Sequence, residues 1–196
     1  MLKELLNPLD RLLKKARKND QCRFLVCWNR GLGDIPLGLY ALVHRIRSRV
    51  PFATVTFLTR SDLAPVFEMV QHSHVIAVPS WKRGEAFNLD EALKEVGRSR
   101  DCYDVILEKP DPTKWLSWQL GTLIPRLEWD DKWDALSEKF GLEKGGGYLG
   151  AHVDTETGQF YGYEKNWPEK NWKELFAKID RRIVIFGTGE PDSDLP

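Results

Sequence analysis

The sequence predicts an α/β protein: a Rossmann-like parallel-sheet domain followed by the first βαβ unit of a second such domain. Short apolar and β-branched segments alternate with helical segments along most of the 196 residues, a pattern typical of βαβ units around a parallel sheet. A glycine turn at 30–34 follows the first strand, at the edge where such folds bind ligands. A glycine run at 145–147 predicts a domain boundary.

Residues 1–18 predict a basic amphipathic helix that Pro8 either divides or restarts. Leucines recur at helical spacing on one side, and lysines and arginines occupy the other. Three interpretations stay open: a helix packed on its own domain, an interfacial helix that favours anionic lipid, and a partner-binding helix. Residues 1–20 are therefore set apart as an N-terminal segment.

The first domain, 21–144, is predicted to alternate strands with helices. Strands are expected at 23–28, 53–59, 74–78, 103–108 and 125–129. Helices are expected at 35–49, 62–70, 87–98, 113–121 and 131–140. The segment 141–147 predicts a linker, since three consecutive glycines destabilise any regular element.

Residues 148–196 predict a single βαβ unit, the start of a second domain. A strand is expected at 148–153, a helix at 169–180 and a strand at 182–187. Roughly 50 residues are too few for an α/β domain that is stable unaided. This part of the chain is therefore expected to be an incomplete domain.

Composition excludes several classes of protein. Lysines plus arginines number 29, as do aspartates plus glutamates, which argues against a protein that mainly coats nucleic acid. Three cysteines without metal-ligand spacing predict reduced thiols. No run of about 18 apolar residues and no secretion-signal pattern occurs. We therefore expect a cytoplasmic protein with neither a membrane span nor a metal centre.

The turn after the first strand carries the clearest candidate site. Gly31 and Gly33 let the backbone bend sharply and approach a ligand. The dinucleotide fingerprint needs a glycine or alanine where Pro36 stands, and favours an acidic residue after the second strand, so a standard NAD site is excluded. Asp34 is either the N-cap of the next helix or a carboxylate placed to move a proton.

A second polar segment joins the strand at 148–153 to the helix that follows it. Thr155 and Thr157 lie early in this segment, and Lys165 lies just before the helix. Hydroxyls, a lysine and a helix N-terminus are the groups that hold a diphosphate. A solvated polar loop is the alternative interpretation.

Together the two motifs resemble the heptosyltransferases of glycosyltransferase family 9, which have the GT-B fold of two facing Rossmann-like domains. Arg30-Gly-Leu-Gly-Asp34 resembles the turn after the family's first strand. Lys165-Asn-Trp-Pro-Glu-Lys-Asn-Trp172 resembles the start of the first helix of its second domain, and Ile183-Val-Ile-Phe-Gly187 the next strand. The similarity spans roughly 23–190. The family's second domain continues further than Pro196, so the resemblance implies a truncated donor-side domain.

The resemblance also implies roles for these residues. Asp34 matches the general base that deprotonates the acceptor hydroxyl. The acceptor-side turn is implied for Arg30, Gly31 and Gly33. Contacts to the donor diphosphate are implied for Lys165, Thr155 and Thr157.

The implied activity is a metal-independent, inverting sugar transfer without a cofactor. The donor would be a nucleotide sugar resembling ADP-heptose, and the acceptor a lipopolysaccharide or other lipid-linked envelope glycan. Such an acceptor would place the protein at the inner face of the cytoplasmic membrane, which suits the basic segment 1–18. The alternative is a non-catalytic remnant that acts as a binding or membrane-peripheral module.

Overall fold

The structure, a computed structural model, describes residues 7–116, 123–138, 140–142, 146–153 and 166–186. The chain divides into two compact units, Met1–Asp130 and Asp131–Pro196. We call them the first and second units and describe each by itself. The domain boundary at 141–147 stays a prediction from the sequence.

The first unit is built on a four-stranded parallel sheet. Its strands are β1 (Arg23–Trp28), β2 (Thr54–Arg60), β3 (Ser73–Val78) and β4 (Val105–Leu107). They lie in the order β3-β2-β1-β4, with every pair parallel. Because the order reverses at β1, the carboxyl ends of β1 and β4 flank the topological switch point, where open α/β sheets bind ligands.

The first four predicted strands are confirmed, but the fifth is wrong. Around 125–129 the described chain makes only an isolated antiparallel bridge, between Leu127 and Val70. One bridge and the hydrogen bond from Glu128 N to Met69 O, 2.8 Å, hold this segment beside the sheet. Its apolar residues gave a strand pattern, but Ile124 and Trp129 are largely exposed, so little burial favours an extended ladder there.

A helix precedes β1, and helical elements follow each strand of the first unit. They are α1 (Pro8–Lys18), a π-helical turn (Ile35–Leu39), α2 (Tyr40–Arg49), α3 (Ala64–Glu68), α4 (Leu89–Glu95), a 3₁₀ turn (Arg100–Cys102) and α5 (Pro112–Trp115). The predicted helix at 35–49 is thus two elements. Its first turn is wide because Leu39 N donates to the Asp34 carbonyl, five residues back, at 2.9 Å. Such π turns are rare and occur often at functional sites.

Helix α1 begins at Pro8, which confirms that this proline starts the second half of the basic segment. Asn7 accepts a hydrogen bond from Leu9 N at 3.0 Å and caps the helix. The apolar side of α1 is buried in the main core of the first unit, and Asp10 accepts two hydrogen bonds from Arg45 of α2 at 2.8 and 2.7 Å. The described part of the segment is therefore packed on its own domain.

Both faces of the sheet are covered. Alternate β1 residues Phe24, Val26 and Trp28 pack with α1, α2 and α3. The intervening residues, Leu25 and Cys27, pack against α4 on the other face. This doubly wound layering confirms the predicted fold class.

The second unit is a βαβ arrangement with a preceding helix. Its elements are α6 (Asp131–Glu138), β5 (Tyr148–His152), α7 (Glu169–Phe176) and β6 (Arg182–Phe186). Strands β5 and β6 pair in parallel, as expected for a crossover connection. An ideal Cβ on Gly150 would come within 2.5 Å of the Phe186 ring, so glycine is needed there for this ring position.

Candidate functional site at the carboxyl edge of the first sheet

The turn after β1 is held by its own side chains. The Trp28 indole N–H donates to the Gly31 carbonyl at 3.0 Å, and the Arg30 guanidinium carbon lies 5.6 Å from the Trp28 ring centroid. An ideal Cβ on Gly31 would lie only 3.3 Å from Oδ2 of Asp34. Glycine at this position therefore leaves room for the carboxylate of Asp34 beside the turn.

Asp34 is not acting as a helix cap. Its backbone is already helical, and its side chain makes no capping hydrogen bond to the π turn that follows, so the N-cap interpretation is not supported. The side chain is half-buried. Burial raises the pKa of the Asp34 carboxyl, and the positive charge of Arg30 acts in the opposite direction. A half-buried carboxylate with a raised pKa at this edge is suited to accept a proton.

The other predicted turn residues lie in the same turn. Arg30 and Gly33 are exposed. Gly33 does not adopt a positive φ, and within the described residues no atom would lie within 4 Å of a Cβ built there. No steric reason for glycine is therefore found at 33, and its role in acceptor binding stays a prediction.

Asn29 supports the site from its wall, a role that was not predicted from the sequence. It is buried directly after β1, and its amide Nδ2 donates to the carbonyls of Lys82 at 3.2 Å and Glu85 at 2.8 Å. Gly84 N donates back to the Asn29 carbonyl at 3.0 Å. These bonds fix the loop after β3 against the end of β1. The signal for this role in the sequence was the amide side chain of Asn29 directly after a buried strand.

A cavity of about 310 Å³ opens at the switch point between β1 and β4. Its walls come from three segments, 27–30, 84–87 and 108–110. Arg30 lines the cavity, and Asp34 is not among its lining residues. Aromatic surface from Trp28 and Phe87, with charges of both signs around it, suits a polar organic ligand.

The thiol in the cavity wall favours its protonated form at neutral pH. Cys27 is buried, and burial raises the pKa of its thiol to about 12. The thiolate is the nucleophilic form of cysteine. Covalent catalysis by Cys27 is therefore disfavoured.

The predicted donor-side residues Lys165, Thr155 and Thr157 lie outside the described residues. The start of helix α7 just after them is described. There Trp167 and Trp172 meet edge to face with their ring centroids 5.2 Å apart, and Trp172 packs on Phe176 at 5.5 Å. These ring contacts join the residue before Pro168 to the first two turns of α7.

The first unit has the sheet order, glycine turn and switch-point cavity of a Rossmann-like α/β protein. No protein-family model and no curated protein matches the sequence. Among solved structures, the chain is similar to a glycosyl transferase family 9 protein from Veillonella parvula, with a TM-score of 0.54 and 15% identity. The match covers 84% of this chain and 62% of that one.

At this level of identity the likeness establishes the fold. The chain has the α/β architecture of that glycosyltransferase structure and spans 62% of its length. Across the described ranges, no helix is long and apolar enough to cross a membrane.

Proposed function

We propose that this protein is a glycosyltransferase that moves a sugar from a nucleotide-sugar donor to a glycan acceptor. The observation that carries the proposal is the Asp34 carboxylate. It lies at the ligand-binding edge of the sheet, makes no cap, and has a raised pKa. The fold shared with a family 9 glycosyl transferase supports the same class of reaction.

In the proposed mechanism Asp34 is the general base. An acceptor hydroxyl is a poor nucleophile until its proton is removed. As the hydroxyl oxygen bonds to the anomeric carbon, its proton passes to Asp34 and the bond to the diphosphate breaks, with its electron pair leaving on the diphosphate oxygen. Attack opposite the leaving group inverts the anomeric centre. Arg30, whose charge opposes the effect of burial on the Asp34 pKa, favours the ionised base between turnovers.

The donor contacts extend the proposal to the second polar segment. Lys165 would neutralise charge on the departing diphosphate, and Thr155 and Thr157 would hydrogen-bond its oxygens. With these groups the reaction would need neither a metal nor a cofactor. By resemblance, the donor would be similar to ADP-heptose.

The acceptor is proposed to be a lipid-linked envelope glycan such as lipopolysaccharide, with its sugar against the turn of Arg30, Gly31 and Gly33, beside Asp34. Residues 1–18 would assist at the cytoplasmic membrane face. In α1 the apolar side is buried and five cations are exposed: Arg11, Lys14, Lys15, Arg17 and Lys18. Attraction of this helix to anionic lipid would therefore be electrostatic, at about 1 kcal/mol per cation near the surface.

Calorimetry and a transfer assay test the proposal on the full chain. ADP-sugars, UDP-sugars and GDP-sugars are titrated into protein whose folding is verified by circular dichroism, and the same donors are incubated with deacylated lipopolysaccharide acceptors. Heat of binding with one nucleotide class and a new glycosidic product are expected. Donor binding without any product would instead favour the non-catalytic binding module. Absence of heat with every donor would reject the nucleotide-sugar site.

A further inference from the structure

A second cavity of about 280 Å³ lies in the first unit, between α2 and the turn that precedes β3. Its polar lining comes from Tyr40, His44, Arg47 and Ser48 on one side and from Gln71 and His72 on the other. Arg47 also donates to the carbonyl of Ala53, just before β2, at 3.1 Å. The cavity therefore reaches the amino edge of the sheet, opposite the edge that carries Asp34.

Two packed helices on this side of the first unit, α1 and α2, are strongly basic. Helix α2 carries three arginines and no carboxylate, and α1, which packs on it, carries five cations and one carboxylate. That carboxylate, Asp10, is paired with Arg45. In a chain with 29 cationic and 29 acidic residues, eight cations against one carboxylate on two adjacent helices make a locally positive surface that attracts anions.

The lining also supplies hydrogen-bond donors to a bound anion. Arginine has five N–H groups, and the contact to Ala53 uses one nitrogen of the Arg47 guanidinium. The rings of His44 and His72 are exposed. Among the described residues that line the cavity, none has a carboxylate to compete with an anionic ligand.

The turn that carries His72 has an uncommon backbone. His72 adopts a φ of 61°, in the left-handed region that side chains other than glycine rarely enter. Such conformations cluster at binding sites, where surrounding structure holds them. Here the conformation brings an imidazole to the cavity wall opposite Arg47 and His44.

We propose that this cavity binds a phosphate-type oxyanion through Arg47, His44 and His72. The phosphate could belong to a soluble phosphate monoester or to a lipid headgroup, since the same donors recognise both. The site is separate from the Asp34 edge, so the proposal does not depend on the proposed transferase activity.

Titration of the full chain with inorganic phosphate, followed by NMR of the histidine and arginine side chains, tests this site. Saturable shifts of the His44 and His72 ring signals and of the Arg47 Nε–H are expected, with chloride at equal ionic strength giving none. Arg47→Gln should weaken phosphate binding about tenfold or more, because a charge-assisted contact is lost. Lys94→Gln, on the exposed side of α4 at the other face of the sheet and outside the cavity, is the matched control and should leave the affinity unchanged.

His72→Asn provides a second variant, because asparagine tolerates the left-handed backbone but lacks the imidazole. It should also weaken binding, so the test stands even if Arg47→Gln perturbs folding. No saturable shift in the wild type, or equal affinity in Arg47→Gln, His72→Asn and Lys94→Gln, would overturn the proposal.

Flotation with phosphatidic acid vesicles separates the two sources of phosphate. Vesicles of phosphatidylcholine serve as the control. Flotation on phosphatidic acid that His72→Asn abolishes would assign the site to a lipid headgroup. Saturable phosphate binding without flotation would assign it to a soluble phosphate monoester.

Discussion

The two edges of the first sheet each carry an aspartate, and the two aspartates differ in their hydrogen bonding. At the amino edge, Asp104 accepts hydrogen bonds from Cys22 N and Arg23 N at 3.0 and 2.9 Å and from the Arg23 guanidinium at 2.6 Å. At the carboxyl edge, Asp34 has no capping bond.

Their pKa values shift in opposite directions as a result. The Arg23 guanidinium, followed by the backbone N–H groups, holds the pKa of the Asp104 carboxyl well below its usual range. Burial raises that of Asp34. The Asp104 carboxylate stabilises the fold by joining β1 to β4, whereas the raised pKa of Asp34 makes its ionised form unfavourable for stability, as expected of the proposed base.

The sharpest test of this contrast is Asp34→Asn. If Asp34 is the base, the rate of sugar transfer should fall by roughly 10²–10⁴-fold, because proton removal in the transition state is lost. Donor affinity, measured by calorimetry, should stay nearly the same. Transfer at the wild-type rate would reject the assignment of Asp34 as base.

The next largest effect is expected at the opposite edge. Asp104→Ala should lower the free energy of unfolding by about 2 kcal/mol, because two backbone N–H groups lose a charged acceptor. Asp34→Ala should change it by less than about 0.5 kcal/mol. Urea denaturation of both variants measures the difference, and equal losses would contradict the contrast between the edges.

A smaller effect is expected at Asn29, which fixes the wall of the larger cavity. Asn29→Ala should cost about 1–2 kcal/mol, since the carbonyls of Lys82 and Glu85 lose their donor. Asn88→Ala is a matched control, because Asn88 caps α4 and lies outside that cavity wall. Proteolysis should become faster within 82–85 in Asn29→Ala only. Equal protection of this loop in both variants would show that Asn29 does not fix it.

The smallest effect is the pH dependence of stability. The lowered pKa of Asp104 means that its stabilisation is complete above the unfolded-state pKa, about 3.9, and is lost as the pH falls through the folded value. The raised pKa of Asp34 gives the opposite pH dependence. Its contribution to stability is present at low pH and is lost as the pH rises through the pKa of Asp34 in the folded protein. For Asp104→Asn and Asp34→Asn, we compare the free energy of unfolding with that of the wild type. As the pH rises from acid to neutral, this difference should change in one direction for Asp104→Asn and in the opposite direction for Asp34→Asn. Parallel curves would mean that the two sites are electrostatically alike.

The strands of this fold could be predicted because each is a short apolar run between turn residues. β1 matched its predicted range because Phe24 to Trp28 are buried on both faces, which leaves an unbroken apolar signal. The segment at 125–129 carried a similar signal without the burial. Position in the sheet, which decides burial, is not contained in a local pattern.

The candidate site was predictable only in part for the same reason. The glycine turn and Asp34 are local features, so the sequence displayed them. The bonds from Asn29 to Lys82 and Glu85, and those to Asp104 from Cys22 and Arg23, join residues more than 50 positions apart. Such pairings depend on strand order and have no local signature.

The π turn at Ile35–Leu39 sets the helical phase between Asp34 and α2. A π turn holds one residue more than an α-helical turn, and one residue corresponds to about 100° of rotation around a helix. Deleting Gly38 would convert the turn to a regular helix while α2 keeps its packing on the core. The Asp34 carboxylate would then rotate away from its present direction. A single-residue deletion would therefore reorient this carboxylate relative to the sheet while Asp34 itself and the residues of the glycine turn stay unchanged.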